Sequence, residues 1–132
     1  MTVVVDASVV VDALVDRGVR GDRARDRLVG ERLVGPELID VEVVATLRRM
    51  VTGGVIDVAA ATVAIADYAD IGVRRFGHRR LLPRAWELRQ TVSAYDAIYV
   101  ALAERLGLTL VTADRRLAGA PGIRCEVEVL TR

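Results

Sequence analysis

Two short apolar runs constrain this chain more than any other feature: Thr2-Val3-Val4-Val5, which stops at Asp6, and Leu108-Thr109-Leu110-Val111-Thr112, which stops one residue before Asp114. Both are too short for a stable helix and rich in β-branched residues, so each reads as a buried strand. Between them the spacing turns helical. Residues 8 to 16 put Val9, Val10, Ala13 and Leu14 on one side, Asp22 to Leu28 reads as a charged helix, and Ile39 to Val51 is a helix stopped by Gly53-Gly54. Val58 to Ile71 is an almost wholly apolar helix, Pro83 marks the start of one carrying Trp86 and Leu88, and Ser93 opens another that Gly107 caps. Leu33-Val34, Val73 to Phe76 and Arg124 to Leu130 read as further short strands, and Arg115 to Leu117 as a short helix. Strands separated by helices predict an α/β fold, with a central parallel sheet flanked by helices on both faces. No linker, repeat or low-complexity segment divides the chain, so residues 1–132 are expected to form one domain.

Composition narrows the function classes. Hydrophobic residues make up 52% of the chain and aromatics only 4%, so Val, Ala and Leu must build the core. The single Cys125 forms no intrachain disulfide and no Cys/His set exists for zinc, which points to a reducing compartment and a cytoplasmic protein. No stretch approaches the roughly 18 apolar residues of a membrane span, and no basic leader is present, so no membrane partner is expected. All 19 basic residues other than His78 are arginine. Chemistries that need a lysine, such as P-loop phosphate binding and Schiff bases, are thereby excluded.

In parallel sheets, sites form beyond the carboxyl ends of the strands, where the strand order reverses. Asp6 and Asp114 sit at such ends, and if their strands are neighbours both face one crevice. Asp96 lies in the first turn of the helix before the second strand, within reach of its edge. Glu42 stands in the apolar run Val41 to Ala45, a costly place for a lone acid unless it looks into a polar, cation-holding pocket. Each acid also has an ordinary use: Asp6 and Asp114 as helix caps, Asp96 in the Ser93-x-x-Asp96 capping pattern, Glu42 on a solvated face. Carboxylates crowded together repel unless a divalent cation neutralises them, and hard oxygen ligands select Mg²⁺ or Mn²⁺. Such a site activates water for attack on a phosphodiester and needs no nucleophilic side chain.

The segments Val3-Val4-Val5-Asp6-Ala7-Ser8, Tyr95-Asp96-Ala97-Ile98-Tyr99-Val100-Ala101-Leu102-Ala103 and Leu110-Val111-Thr112-Ala113-Asp114, with Glu42 between, resemble PIN-domain ribonucleases, specifically the VapC-type toxins of bacterial toxin-antitoxin pairs. The resemblance spans essentially the whole chain. It implies that Asp6, Glu42, Asp96 and Asp114 form the acidic metal-binding set, that Ser8 takes the polar position of the first motif, often asparagine in the family, and that Thr112 is the hydroxyl of the T-x-D motif. It further implies Mg²⁺- or Mn²⁺-dependent cleavage of RNA leaving a 5′-phosphate, a homodimer, and a cognate VapB-type antitoxin.

Other residues leave their reading open. Arg74, Arg75, Arg79, Arg80 and Arg84 either steer RNA phosphates or solvate a surface. His78, among these arginines, reads as solvated or phosphate-contacting; Tyr95 and Tyr99, one helical turn apart, as a packed pair in the core or at a dimer seam; Trp86 as a core or interface anchor. The helix from Val58 to Ile71 carries more apolar surface than one small sheet covers, which suits a dimer or antitoxin contact. Two rivals place acids in similar positions. A receiver-like or haloacid-dehalogenase-like phosphotransfer domain needs the missing lysine, and the phosphatase an acid where Ser8 stands. A catalytically weak PIN-fold binding module is at odds with the intact acidic set.

Overall fold

In the computed structural model, residues 1–130 are described. Five strands form one sheet in the order β3-β2-β1-β4-β5, every neighbouring pair parallel. The strands are β1 (Thr2–Val5), β2 (Arg32–Pro36), β3 (Val73–Phe76), β4 (Leu110–Thr112) and β5 (Val127–Val129). β1 lies at the centre, and Val3, Val4 and Val5 are at most 1% exposed, as a strand covered on both faces must be. The second apolar run is its neighbour: Val4 pairs with Leu110 and Val5 with Val111.

The helices are α1 (Ala7–Val15), α2 (Val19–Leu28), α3 (Leu38–Thr52), α4 (Val58–Asp70), α5 (Leu82–Glu87), α6 (Ala94–Leu106) and α7 (Arg115–Ala118). α1 packs against α2, α3 and α4, whereas α6 lies across β1, β2 and β4 with α5 beside it. The chain thus winds outward from β1 through β2 to β3, then returns through α5 and α6 to lay β4 on the other side of β1. The strand order reverses between β1 and β4, so the switch point falls where Asp6 and Asp114 stand.

α6 is the most deeply set helix, with every residue from Ala97 to Ala103 buried. Its alanines let it approach the sheet closely, the Ser93 hydroxyl caps it by accepting the Asp96 N–H at 3.2 Å, and Gly107, at φ +66°, ends it in a left-handed turn that L side chains rarely adopt. Gly21, in the first turn of α2, lies against the Asp16 carbonyl so closely that a Cβ has no room.

Several boundaries differ from the sequence reading. β4 is two residues shorter at its start, because the Leu108 N–H goes back to the Ala103 carbonyl at 3.0 Å to finish the helix end. β5 covers only Val127–Val129 of the expected Arg124 to Leu130, since its partner β4 is three residues long. α2 begins at Val19 rather than Asp22. α4 buries Ala61, Ala64 and Tyr68 but leaves Val58, Val63 and Ile65 exposed. No helix among the described residues is long and apolar enough to cross a membrane.

Candidate active site

Four elements bring acids to the carboxyl edge of the sheet: the turn after β1 (Asp6), the second turn of α3 (Glu42), the first turn of α6 (Asp96) and the turn after β4 (Asp114). Asp6 occupies the cap position of α1 but makes no side-chain capping bond. Its Oδ2 instead accepts the Thr112 hydroxyl at 2.7 Å and the Ser8 hydroxyl at 3.1 Å. Each hydroxyl also accepts a backbone N–H from the turn after β4, Ser8 from Ala113 at 3.3 Å and Thr112 from Asp114 at 3.1 Å. The first and last acids are therefore stitched together across the switch point by two hydroxyls. Thr112, fully enclosed, is the only buried polar residue among those described.

The electrostatics follow from crowding. Burial pushes the Asp6 carboxyl above the usual range, opposed by the Thr112 and Ser8 hydroxyls. Glu42 is raised by burial, opposed by the Tyr99 hydroxyl and reinforced by the charges of Asp6 and Asp96. Asp96 is raised by burial and then by Asp6 and Asp114. Glu42 and Asp96 thus both sense Asp6, and Asp96 senses Asp114 as well. Asp114 is the exception in direction: hydrogen bonds from Arg116 hold it below the usual range, the guanidinium meeting its two oxygens at 3.1 and 3.0 Å and the Arg116 N–H its Oδ1 at 2.9 Å. Asp114 is also the side-chain cap of α7, so its capping role is real and coexists with its place in the cluster.

Asp96, Asp114, Arg89 and Arg116 line a crevice of about 400 Å³. Among the described residues, no three His, Cys, Asp or Glu side chains stand close enough as placed to close on one ion. As placed, both oxygens of Asp114 are engaged by the Arg116 guanidinium. The donor set itself fits a hard divalent cation: the candidates are carboxylates, and Glu42 Oε1 is a buried oxygen without a hydrogen-bond partner. Neither Ser8 nor Thr112 is a free nucleophile, since both protons are committed to Asp6.

Tyr99 is a core residue, one of the two places expected from its sequence, and its hydroxyl end borders Asp6 and Glu42. It is 1% exposed, its hydroxyl lies against Glu42 without the geometry of a closed hydrogen bond, and burial together with the charges of Asp6 and Glu42 raises its pKa. Its spacing three residues after Asp96 was the available signal, because i and i+3 share a helix face. Tyr95 does not pack with it and is 60% exposed; Trp86, expected in the core or an interface, is 68% exposed. His78 is half-buried and does structural work: its Nε2 accepts the Leu38 N–H at 2.9 Å, capping the start of α3. Of the arginines, Arg75 pairs with Asp40 at 2.8 Å and Arg84 with Glu104 at 2.7 Å, which removes both from any free basic patch.

The PIN-domain family profile matches residues 3–123. The chain belongs to the PIN-domain family. Within it, the chain is 41% identical over 128 residues to ribonuclease VapC1 of Mycobacterium tuberculosis, covering 96% of both chains, and 39% identical over 130 residues to a VapC ribonuclease of Mycobacterium bovis, covering 98% of this chain and 99% of that one. Its fold is shared with VapBC2 from Rickettsia felis, solved bound to a DNA fragment from the promoter of that pair, at a TM-score of 0.70, 13% identity and 98% coverage of both chains.

Proposed function

We propose that this chain is a VapC-type endoribonuclease, the toxin of a toxin-antitoxin pair, and that it hydrolyses RNA phosphodiesters to leave a 5′-phosphate. The observation that supports this reading is that acids from four separate elements gather near the β1/β4 switch point, where Asp96 and Asp114 line one crevice, Asp6 raises both Glu42 and Asp96, and Asp114 raises Asp96. Mg²⁺ or Mn²⁺ held by these four carboxylates would neutralise them and supply the activation of water and of the leaving oxygen that hydrolysis needs. The Thr112 and Ser8 hydroxyls fix the orientation of Asp6. Arg89 and Arg116, at the crevice wall, offset its negative charge towards an incoming phosphate. The relatives named as VapC ribonucleases, and the VapBC complex sharing the fold, support a ribonuclease with a VapB-type antitoxin. A homodimer and a cytoplasmic location complete the reading.

The test is cleavage of labelled RNA by the purified chain with Mg²⁺ or Mn²⁺, with EDTA, and by the Asp6→Asn and Asp96→Asn variants. Cleavage that needs the cation and falls at least a hundredfold in both variants is expected. Equal cleavage by the variants, or full activity in EDTA, overturns the mechanism. Growth arrest on expression, relieved by a short protein encoded beside this chain, tests the pairing.

A further inference from the structure

Glu42 stands in the second turn of α3, and its Oε1 is buried without a closed hydrogen bond, so the place of this acid is set chiefly by the helix backbone that carries it. The start of that helix is weakly specified by its own sequence. Glu37, at the cap position, has helical backbone angles (φ −53°, ψ −30°) and makes no side-chain capping bond, where a Ser, Thr, Asp or Asn in extended backbone would satisfy the first N–H groups. The acceptor comes instead from 40 positions along the chain: His78 Nε2 takes the Leu38 N–H at 2.9 Å. The imidazole is itself held from both sides. Two residues before it Phe76 pairs with Pro36 at the end of β3, and the Phe76 carbonyl accepts the Glu37 N–H at 2.9 Å. The His78 carbonyl accepts the Leu81 N–H at 2.8 Å, which closes a turn of 3₁₀ helix on Leu81, 2% exposed. His78 thus ties the start of α3 to the end of the sheet and to the core.

We propose that His78 is a positioning residue for the reaction: by capping α3 through Nε2 it fixes where Glu42 stands relative to the other acids, and so sets cation affinity and turnover. The proposal rests on the ribonuclease reading, in which Glu42 is one of four carboxylates around the cation, and adds a residue that has no hydrogen bond with any of the four. The link is short. Leu38 lies one turn before Glu42, and its carbonyl is the acceptor that an α-helix provides for the Glu42 N–H. A first turn that loses its cap frays, and a catalytic group one turn further on moves with it, where a misplacement on the order of 1 Å is enough to slow a reaction. Asp40, between the two, is held by other groups, the Tyr68 hydroxyl at 2.7 Å and the Arg75 guanidinium at 2.8 Å. Arg75 and Asp40 form an exposed pair, a kind that adds little, so the half-buried imidazole is the tether that matters for Glu42.

Two substitutions separate the ring from the acceptor. His78→Phe keeps an aromatic ring and loses the acceptor, whereas His78→Gln loses the ring and carries a carbonyl oxygen that can reach the same N–H; where His78→Phe does not fold, His78→Ala takes its place. In the full chain without RNA, Mn²⁺ affinity read by calorimetry is expected to fall about tenfold in His78→Phe, as when a group supporting a metal ligand is lost, and to return to within about threefold of the parent in His78→Gln. Cleavage by His78→Phe is expected to lose about tenfold in kcat, with KM for RNA within about twofold of the parent. In a Glu42→Gln background His78→Phe is expected to add no further loss of Mn²⁺ affinity, because it acts through that carboxylate. A His78→Phe chain that melts lower yet binds Mn²⁺ as the parent does overturns the proposal and leaves His78 a stabilising cap alone. Equal losses in the Phe and Gln variants overturn it as well, since they assign the effect to ring packing, and so does a full further loss in the Glu42→Gln background. Lost Mn²⁺ binding in Glu42→Gln with none lost in His78→Phe sinks this proposal alone. Parent-like Mn²⁺ binding in Glu42→Gln removes Glu42 from the cation and sinks the four-carboxylate reading with it, so the two failures are distinguishable.

Discussion

The Tyr99 hydroxyl and the Glu42 carboxyl lie buried against each other at the carboxyl edge of the sheet, near enough for each to shift the other's pKa, yet neither the hydroxyl nor Oε1 has the geometry of a closed hydrogen bond. Such a placement is costly, because each atom has given up water for an imperfect partner. The arrangement makes sense if Glu42 has a task that a fully satisfied carboxylate could not perform. Tyr99→Phe deletes one of the two atoms without changing shape. Its stability without divalent cation is expected to stay within about 1 kcal/mol of the parent. Mn²⁺ affinity, read by calorimetry, is expected to fall about tenfold, as when an outer partner of a ligand is lost. Unchanged affinity would reduce Tyr99 to a packing residue.

Thr112 joins two strand ends through one hydroxyl, donating to Asp6 and accepting from the Asp114 N–H. Thr112→Val keeps the β-branched shape and removes both bonds, leaving a backbone donor without its partner. A loss of about 1–3 kcal/mol in urea unfolding is expected, with Thr112→Ser recovering most of it. A hydrophobic gain from the extra methyl group would appear as a net change near zero and would show that the hydroxyl serves Asp6 only.

Asp6 combines burial with a raised pKa, as do Glu42 and Asp96 to a lesser degree of enclosure. A raised carboxyl holds its proton in the native state at pH values where the unfolded chain has released it, so stability falls as pH rises through that window. The cluster therefore destabilises the fold at neutral pH. Asp6→Asn removes one of the charges while its side-chain carbonyl can still accept from Thr112 and Ser8. The variant is expected to melt higher than the parent at pH 7, by about 1 kcal/mol of stability, and to lose that advantage at pH 4. A lower melting point at pH 7 would mean that the carboxylate is favourable where it sits.

The site was legible in sequence to the extent that backbone position defines it. Asp6 and Asp114 follow the only two strongly apolar strands, and parallel topology puts strand ends of that kind at one edge, so their neighbourhood follows from pattern alone. Glu42 announced itself by its apolar surroundings. Side-chain commitments across long separations were not legible. His78 to Leu38, Arg75 to Asp40 and Arg84 to Glu104 join residues 20 to 40 positions apart, and their pairing depends on how helices tilt on a finished sheet. Tyr95 and Tyr99 part for the same reason: α6 turns Tyr99 into the core beside the acids and leaves Tyr95 exposed, and a four-residue spacing does not say which face the sheet will cover.

The Arg84 and Glu104 pair ties α5 to α6 and to the turn before β5, with Arg84 also reaching the Gly122 carbonyl at 2.7 Å and Glu104 accepting the Arg124 N–H at 2.8 Å. Burial pushes Glu104 up, but the bonds from Arg84 and Arg124 outweigh it and leave the carboxyl lowered. A lowered acid contributes stability above its unfolded pKa and loses it as pH falls through the folded value. Glu104→Gln is expected to cost about 2 kcal/mol at pH 7 and progressively less below about pH 4.5, where the parent loses the same interaction. Chemical denaturation at pH 7 and pH 3.5 checks this. An undiminished difference at low pH would assign the loss to packing.

Arg116 is 90% exposed, yet it holds both oxygens of Asp114. A cation entering the cluster must compete with that guanidinium for the same carboxylate, and the guanidinium is also a nearby positive charge for an incoming phosphate. Removing it separates the two effects. Arg116→Ala is expected to leave the melting temperature unchanged, since an exposed ion pair adds little. Mn²⁺ is expected to bind a few-fold more tightly, because Asp114 no longer has to exchange one partner for another. The KM for RNA is expected to rise a few-fold and its salt dependence to weaken, as one phosphate-facing charge is gone. Weaker Mn²⁺ binding in Arg116→Ala would reverse the assignment: the arginine would then be what holds Asp114 towards the site, and Arg116→Lys, which keeps the charge without the two-pronged grip, would share the defect.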